Sequence, residues 1–187
     1  MKVKMIKEIP FIYGYKALDK NLCASMGNGM QFEIGRTYEA KGILESCING
    51  FHFCKNLEDT LNYYNPSENE NLRFIKIKAY GKVLSDDESL KQLCQKIKVV
   101  KELSKKEFLK ALKINEDILT EEDLFNKNLR LKILLVSKGL FLGIFIKDKS
   151  SFVRAAVAEQ GYGLDTLVKD ENSYVRFVAN KQKNAAS

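Results

Sequence analysis

The sequence predicts an α+β protein: a small β-rich N-terminal domain, then helices, then a short C-terminal helical repeat array. Three observations carry this. Up to Leu84, apolar residues come in short runs and alternations bounded by Gly, Asn, Asp and Pro, the pattern of strands and turns. Beyond it, Ser/Thr-x-x-Glu/Asp boxes precede apolar residues spaced three or four apart, the pattern of capped helices. From Asn126 onward the chain repeats itself in steps of 22, the mark of a stacked array. The boundaries that follow are 1–84 for the β-rich domain, 85–125 for connecting helices and 126–187 for the repeats.

Taken in order, Phe11 to Leu18 is an apolar, aromatic run between Pro10 and Asp19. Met30, Phe32 and Ile34 alternate with polar residues, with Gly27-Asn28-Gly29 turning before them and Gly35 after. Thr37 to Glu39 continues beyond that turn, and Gly50 to Cys54 reads as another short strand. Leu57, Leu61 and Tyr64 share one side of a helical turn that Asn65-Pro66 ends. Leu72 to Tyr80 is the clearest strand, and Gly81 to Leu84 follows it. Ser85-Asp86-Asp87-Glu88 is a capping box, after which Leu90, Leu93, Cys94 and Ile97 predict a helix. Ser104 to Glu107 and Thr120 to Asp123 open two more.

The repeat is legible residue by residue. Val153-Arg154 returns as Val175-Arg176, Phe152 as Tyr174, and Asp148 as Asp170. One step earlier, Gly161 falls on Gly139, Leu164 on Leu142 and Leu167 on Phe145. Each unit reads as two short helices. Asp148, Ser150 or Ser151 caps the first, because its side-chain oxygen accepts from free backbone N–H groups. Gly161 stops it where φ turns positive. Val153, Val157, Leu164, Leu167, Val175 and Val178 are expected inside. A pair this small buries its apolar side only against neighbours. The third unit lacks a second helix, and its polar tail from Lys181 is expected to fray. The stretch from Arg154 through Gly161, Leu164 and Asp170 resembles the short HEAT-like repeats of phage and prophage proteins of low-GC bacteria. That resemblance implies a mobile-element origin and no chemistry of its own.

The net charge of +7 is unevenly placed. Residues 126–187 hold eleven Lys/Arg against five Asp/Glu, while the first 125 residues are almost balanced. A basic array suits nucleic-acid backbone or an acidic protein face. Lys132, Lys147, Lys149, Lys169, Arg154 and Arg176 are therefore the candidate partner-binding residues. Arg154 and Arg176 have a competing structural role, since they hold equivalent repeat positions and can pair with Asp148, Asp165 or Asp170 between units. No apolar run is long enough to span a bilayer and no secretory leader is legible, so a cytoplasmic protein is expected. Cys23, Cys47, Cys54 and Cys94 contain no C-x-x-C pair and are expected reduced and metal-free.

One stretch could carry chemistry. Tyr15-Lys16, Phe32, Gly35 and Tyr38, then Gly50-Phe51-His52-Phe53-Cys54, Asp59 and Tyr63-Tyr64 resemble a small domain of unknown function common in phage proteins. More distantly, Gly50 to Tyr64 is similar to the nicotinamide-pocket segment of ADP-ribosyltransferases. That resemblance implies NAD as ligand, with Tyr15, His52, Tyr63 and Tyr64 around it. The chain departs from that family: Lys16 stands where His or Arg is wanted, and no Glu follows the late strand, the first acids being Asp86 and Asp87. His52 is the single histidine, and no nucleophile with a supporting acid is legible around it.

The expected function is that of a phage-type, anti-CRISPR-like inhibitor. It would bind a host protein or ribonucleoprotein nuclease stoichiometrically through the basic array, without cofactor or membrane. The alternative is an NAD-dependent ADP-ribosyltransferase-like enzyme acting on a host protein. A nucleic-acid-binding accessory protein is the third reading; against it, the linear sequence shows no interleaving of basic and aromatic residues and no groove-reading helix.

Overall fold

The structure is a computed structural model and describes residues 5–24, 29–45, 48–66, 71–85 and 90–185. The capping box at Ser85–Glu88, the turn at Gly27-Asn28 and Cys47 fall wholly or mostly outside these residues. The fold is α+β. Two compact units divide the chain: residues 1–65 with 72–115, and residues 66–71 with 116–187.

The first unit is built on five antiparallel strands: β1 (Met5–Leu18), β2 (Thr37–Glu39), β3 (Phe51–Cys54), β4 (Arg73–Ser85) and β5 (Lys91–Glu102). β4 lies between β1 and β5. The far edge of β5 takes β3 at Phe51↔Cys94 and β2 at Thr37↔Lys98. β3 then returns to β1 at Tyr15↔Cys54, so β1, β4, β5 and β3 close on themselves. Closure removes the unpaired strand edges that an open sheet presents. It depends on Gly14, where an added Cβ would stand 2.5 Å from the Phe53 ring and 2.7 Å from the Cys54 carbonyl oxygen. Leu18, Phe53, Ile75, Ile77, Ala79, Ile97 and Val99 fill the interior. Burial of these side chains, at about 1.5–3 kcal/mol each, drives the closure.

Residues 91–102, expected within a helix, form β5. The misleading signal has a physical cause. Gln92, Leu93 and Cys94 are buried in succession, so both faces of β5 are covered at its start, with Leu93 against Gly50. Leu93, Cys94 and Ile97 are all buried, and their 3–4 spacing imitates a helix. Ile97, Val99 and Val100 are β-branched, and both edges of the strand find partners, so tertiary pairing wins. Met30 to Ile34, expected as a strand, makes only an isolated bridge at Gln31↔Cys23. Leu57 to Tyr64 does turn helically, as a 3-10 helix at Glu58–Asn62. Helix α1 (Lys105–Ala111) opens with the expected reciprocal box between Ser104 and Glu107, and Phe108 packs on Phe74 at 5.3 Å between ring centroids.

The second unit opens with α2 (Glu121–Phe125), capped by Thr120 and Asp123 as expected. The repeats follow as α3 (Leu129–Ser137) with α4 (Leu142–Phe145), α5 (Ser151–Glu159) with α6 (Leu164–Leu167), and α7 (Ser173–Ala185). Their starts keep the 22-residue step. Leu131, Val153 and Val175 recur at one buried position, and Leu135, Val157 and Ala179 at another. Leu164 differs from expectation: it is half-buried, and Leu167 is the buried member of its short helix. The first helix of the middle unit starts at Ser150, but Asp148 does the local work, accepting from the Ser150 N–H at 2.8 Å. The tail from Lys181 stays helical through Ala185, and Lys183 pairs with Asp165 at 2.6 Å.

Candidate functional site

Tyr15, His52, Tyr63 and Tyr64 come from three separate stretches of chain, and the fold brings all four to one cleft of about 720 Å³. That volume lies within the range of small-molecule sites. β1 supplies Tyr15, Lys16 and Ala17, and β3 supplies Phe51 to Cys54. The 3-10 helix turns the chain so that Thr60, Tyr63 and Tyr64 form another wall. Ala24, Met30 and Phe32 contribute from the segment between β1 and β2, and Lys91 enters at the start of β5.

Lys16 is the residue whose importance the sequence understates. On β1 it has the inward parity of Gly14 and Leu18. Its Nζ donates to the His52 carbonyl at 2.5 Å and lies 5.2 Å from the centre of the Phe32 ring. Burial lowers its pKa to about 8, partly opposed by the nearby Cys94 and Cys54 sulfurs. A charged residue at an inward strand position was the available signal. Lys91 adds a second cation, 5.0 Å from the centre of the Tyr63 ring.

The thiols are poor nucleophiles. Burial pushes Cys54 up to about 12, with Asp59 adding to the shift, and burial does the same for Cys94. The Cys94 Sγ sits 3.4 Å from the Phe51 carbonyl. Burial also holds the Tyr64 hydroxyl above its ordinary range, with Cys54 and Asp19 as smaller causes. Among the described residues no carboxylate lines the cleft, and no His/Cys/Asp/Glu cluster could hold a metal ion. The cleft thus offers aromatic faces and cations.

The second candidate set, in the array, divides. Lys132 is buried, not exposed as expected, and pairs with Asp148 at 2.8 Å. Arg154 is buried and holds Asp170. Arg176 is half-buried and donates to the Asp170 and Glu171 carbonyls at 2.7 and 2.9 Å. These three share one repeat position, and their role is internal. The reason is the repeat itself: the position lies between the loop before its own helix, whose carbonyls need donors, and the next loop, whose Asp carboxylate pairs with Lys132 and Arg154. Lys147, Lys149 and Lys169 are exposed.

The N-terminal unit is therefore a small closed-sheet domain with an aromatic, cationic cleft, followed by a helical repeat unit. The family model for the Domain of unknown function (DUF7666) matches residues 12–111. The chain belongs to this family. No curated protein and no solved structure matches it. No helix among the described residues is long and apolar enough to cross a membrane.

Proposed function

We propose that the protein works by binding rather than turnover, and that the cleft of its N-terminal unit takes a flat aromatic ligand bearing negative charge. The observation that supports this is the meeting of Tyr15, Tyr63 and Tyr64 with Lys16 and Lys91 in one cleft that no carboxylate among the described residues lines. Aromatic walls stack a planar ring, and a desolvated ammonium holds an anion more strongly than one in water. A nucleotide has both parts, and NAD, implied by the resemblance to ADP-ribosyltransferases, is the first probe. The missing carboxylate favours a binding domain over an ADP-ribosyltransferase. The test is thermal stabilisation by NAD, ADP-ribose and nicotinamide at millimolar concentration, in the wild type and in Lys16→Met. A rise of the melting temperature that Lys16→Met abolishes supports the reading. No rise with any of the three, or transfer of label from NAD to a protein, overturns it.

For the macromolecular target we retain a host defence nuclease, bound stoichiometrically in the manner of an anti-CRISPR inhibitor. Its support is the exposure of Lys147, Lys149 and Lys169 on the array, where they suit an acidic or nucleic-acid-bearing partner. Charge reversal of these three lysines should abolish inhibition of that nuclease and leave the fold intact. Full inhibition by the triple variant would remove the array from the mechanism.

A further inference from the structure

The outer face of the closed sheet carries a surface that neither the cleft nor the array uses. Phe11 and Tyr13 of β1 are 46% and 48% exposed although they sit in the middle of a strand. Their rings meet edge to face at 5.5 Å. Beside them on β4 stand Lys76, Lys78 and Tyr80, two residues apart and so on the same face. The Lys78 ammonium lies 3.7 Å from the centre of the Phe11 ring and 5.3 Å from that of Tyr80, and Lys76 lies 4.5 Å from that of Tyr13. The next strand continues the pattern, for Lys98 stands directly opposite Lys78 in the β4–β5 ladder.

Like charges directly opposite each other across a ladder oppose folding. Lys96, the next lysine on β5, is neutralised by Glu39 at 3.1 Å. Lys76, Lys78 and Lys98 make no ion pair among the described residues. The face therefore combines half-exposed rings, each with a lysine ammonium against it, and cations that no carboxylate among the described residues pairs. Stacking faces flanked by uncompensated lysines suit a polymer that alternates planar bases with phosphates, presented as a single strand so that the bases are unstacked. An acidic protein segment would satisfy the lysines and leave the rings unused.

We infer that this outer face binds single-stranded nucleic acid, with Phe11, Tyr13 and Tyr80 stacking bases and Lys76, Lys78 and Lys98 contacting phosphates. The site is independent of the cleft and of the array lysines.

The test is fluorescence anisotropy of a labelled oligothymidylate of about ten nucleotides, a length within the span one small sheet covers. The full chain should bind it, and binding should weaken steeply with salt. The double variant F11A/Y13A should lose about tenfold or more in affinity. Lys78→Glu with Lys98→Glu should lose at least as much and flatten the salt dependence. All four positions are partly or well exposed, and an unchanged circular-dichroism melt checks that each variant folds. The milder pair K78Q/K98Q serves should the reversal disturb the sheet. Reversal of Lys147, Lys149 and Lys169 should leave this binding unchanged. Equal affinity for a duplex of the same composition, equal competition by oligoglutamate, or indifference to F11A/Y13A would each overturn the assignment.

Discussion

Arg154 grips Asp170 with two parallel hydrogen bonds, Nε to Oδ2 at 2.7 Å and Nη2 to Oδ1 at 2.9 Å. One repeat earlier, Lys132 meets both oxygens of Asp148, at 3.1 and 2.8 Å, across the same sixteen-residue separation. Each cation also closes on backbone: Lys132 on the Phe125 carbonyl, Arg154 on that of Asp148, and Arg176 on that of Asp170. One side chain per unit thus ties its own helix to the loop before it, and where Asp follows, to the next loop. The pairs are buried, and Arg154 has one further carboxylate partner, the largely exposed Glu171 at 3.2 Å, so loss of Asp170 leaves a buried guanidinium with only a solvent-facing anion.

Asp170→Asn should therefore be destabilising, by up to about 3–5 kcal/mol, the penalty of leaving a buried charge unpaired, less what Glu171 compensates. Chemical denaturation checks this. The Arg154 hydrogen bond holds the Asp170 carboxyl below its usual range. A depressed folded-state pKa stabilises above the unfolded value of about 3.9, and the contribution fades as pH falls through the lower folded value. The wild type should lose stability below about pH 4 more steeply than Asp170→Asn does.

The array lysines should separate cleanly. Lys132→Glu should lower the melting temperature strongly, because it places two carboxylates in one buried site. Lys147→Glu, Lys149→Glu and Lys169→Glu should each change stability by less than about 0.5 kcal/mol, as exposed substitutions do. A binding test that includes Lys132 confuses misfolding with lost contact. Matched melting curves decide the point.

Gly14→Ala should destabilise the first unit by about 1–3 kcal/mol, the usual range for overpacking. The Phe53 ring can tilt away from the new methyl, but the Cys54 carbonyl belongs to the pairing that closes the sheet. Amide exchange should therefore rise first on β3. Unchanged exchange there would place the clash elsewhere.

Lys16 should lose its proton at a lower pH than an ordinary lysine, because burial disfavours its charged form. With its pKa lowered to about 8, half of it is neutral amine there. An ordinary lysine is neutral to less than about 1% at that pH. An NMR pH titration that follows the lysine side-chain CH2 next to each ammonium should show Lys16 titrating well below the ordinary lysine range. The sign of the linked stability is also set: between about pH 8 and 10.4 the unfolded chain holds a proton the folded chain has released, so this group adds stability as pH rises. Lys16→Met should abolish that gain.

Local information was enough for the array. Its helices, their 22-residue step and the glycine at 161 follow from residues near one another in sequence, where spacing and capping act, as do the Ser104 and Thr120 boxes before it. Even the alternative role of Arg154 was legible, because equivalent positions imply equivalent partners. The exposure of Lys132 was not, since burial depends on the neighbouring turn's Asp148. The first unit was legible as β-rich, and four residues of its cleft were named, but the arrangement was not. β5 looked helical because both faces of its first residues are covered, which hides the alternation, and only pairing on both edges made it a strand. Lys16 reads as an ordinary lysine until closure of the sheet encloses its ammonium. The lysine-and-aromatic face is absent from the linear sequence because Phe11 and Tyr13 are more than sixty residues from Lys76 and Lys78. Near-neutral composition concealed it, for charge balance sums over a unit while strand pairing sorts like charges onto one side.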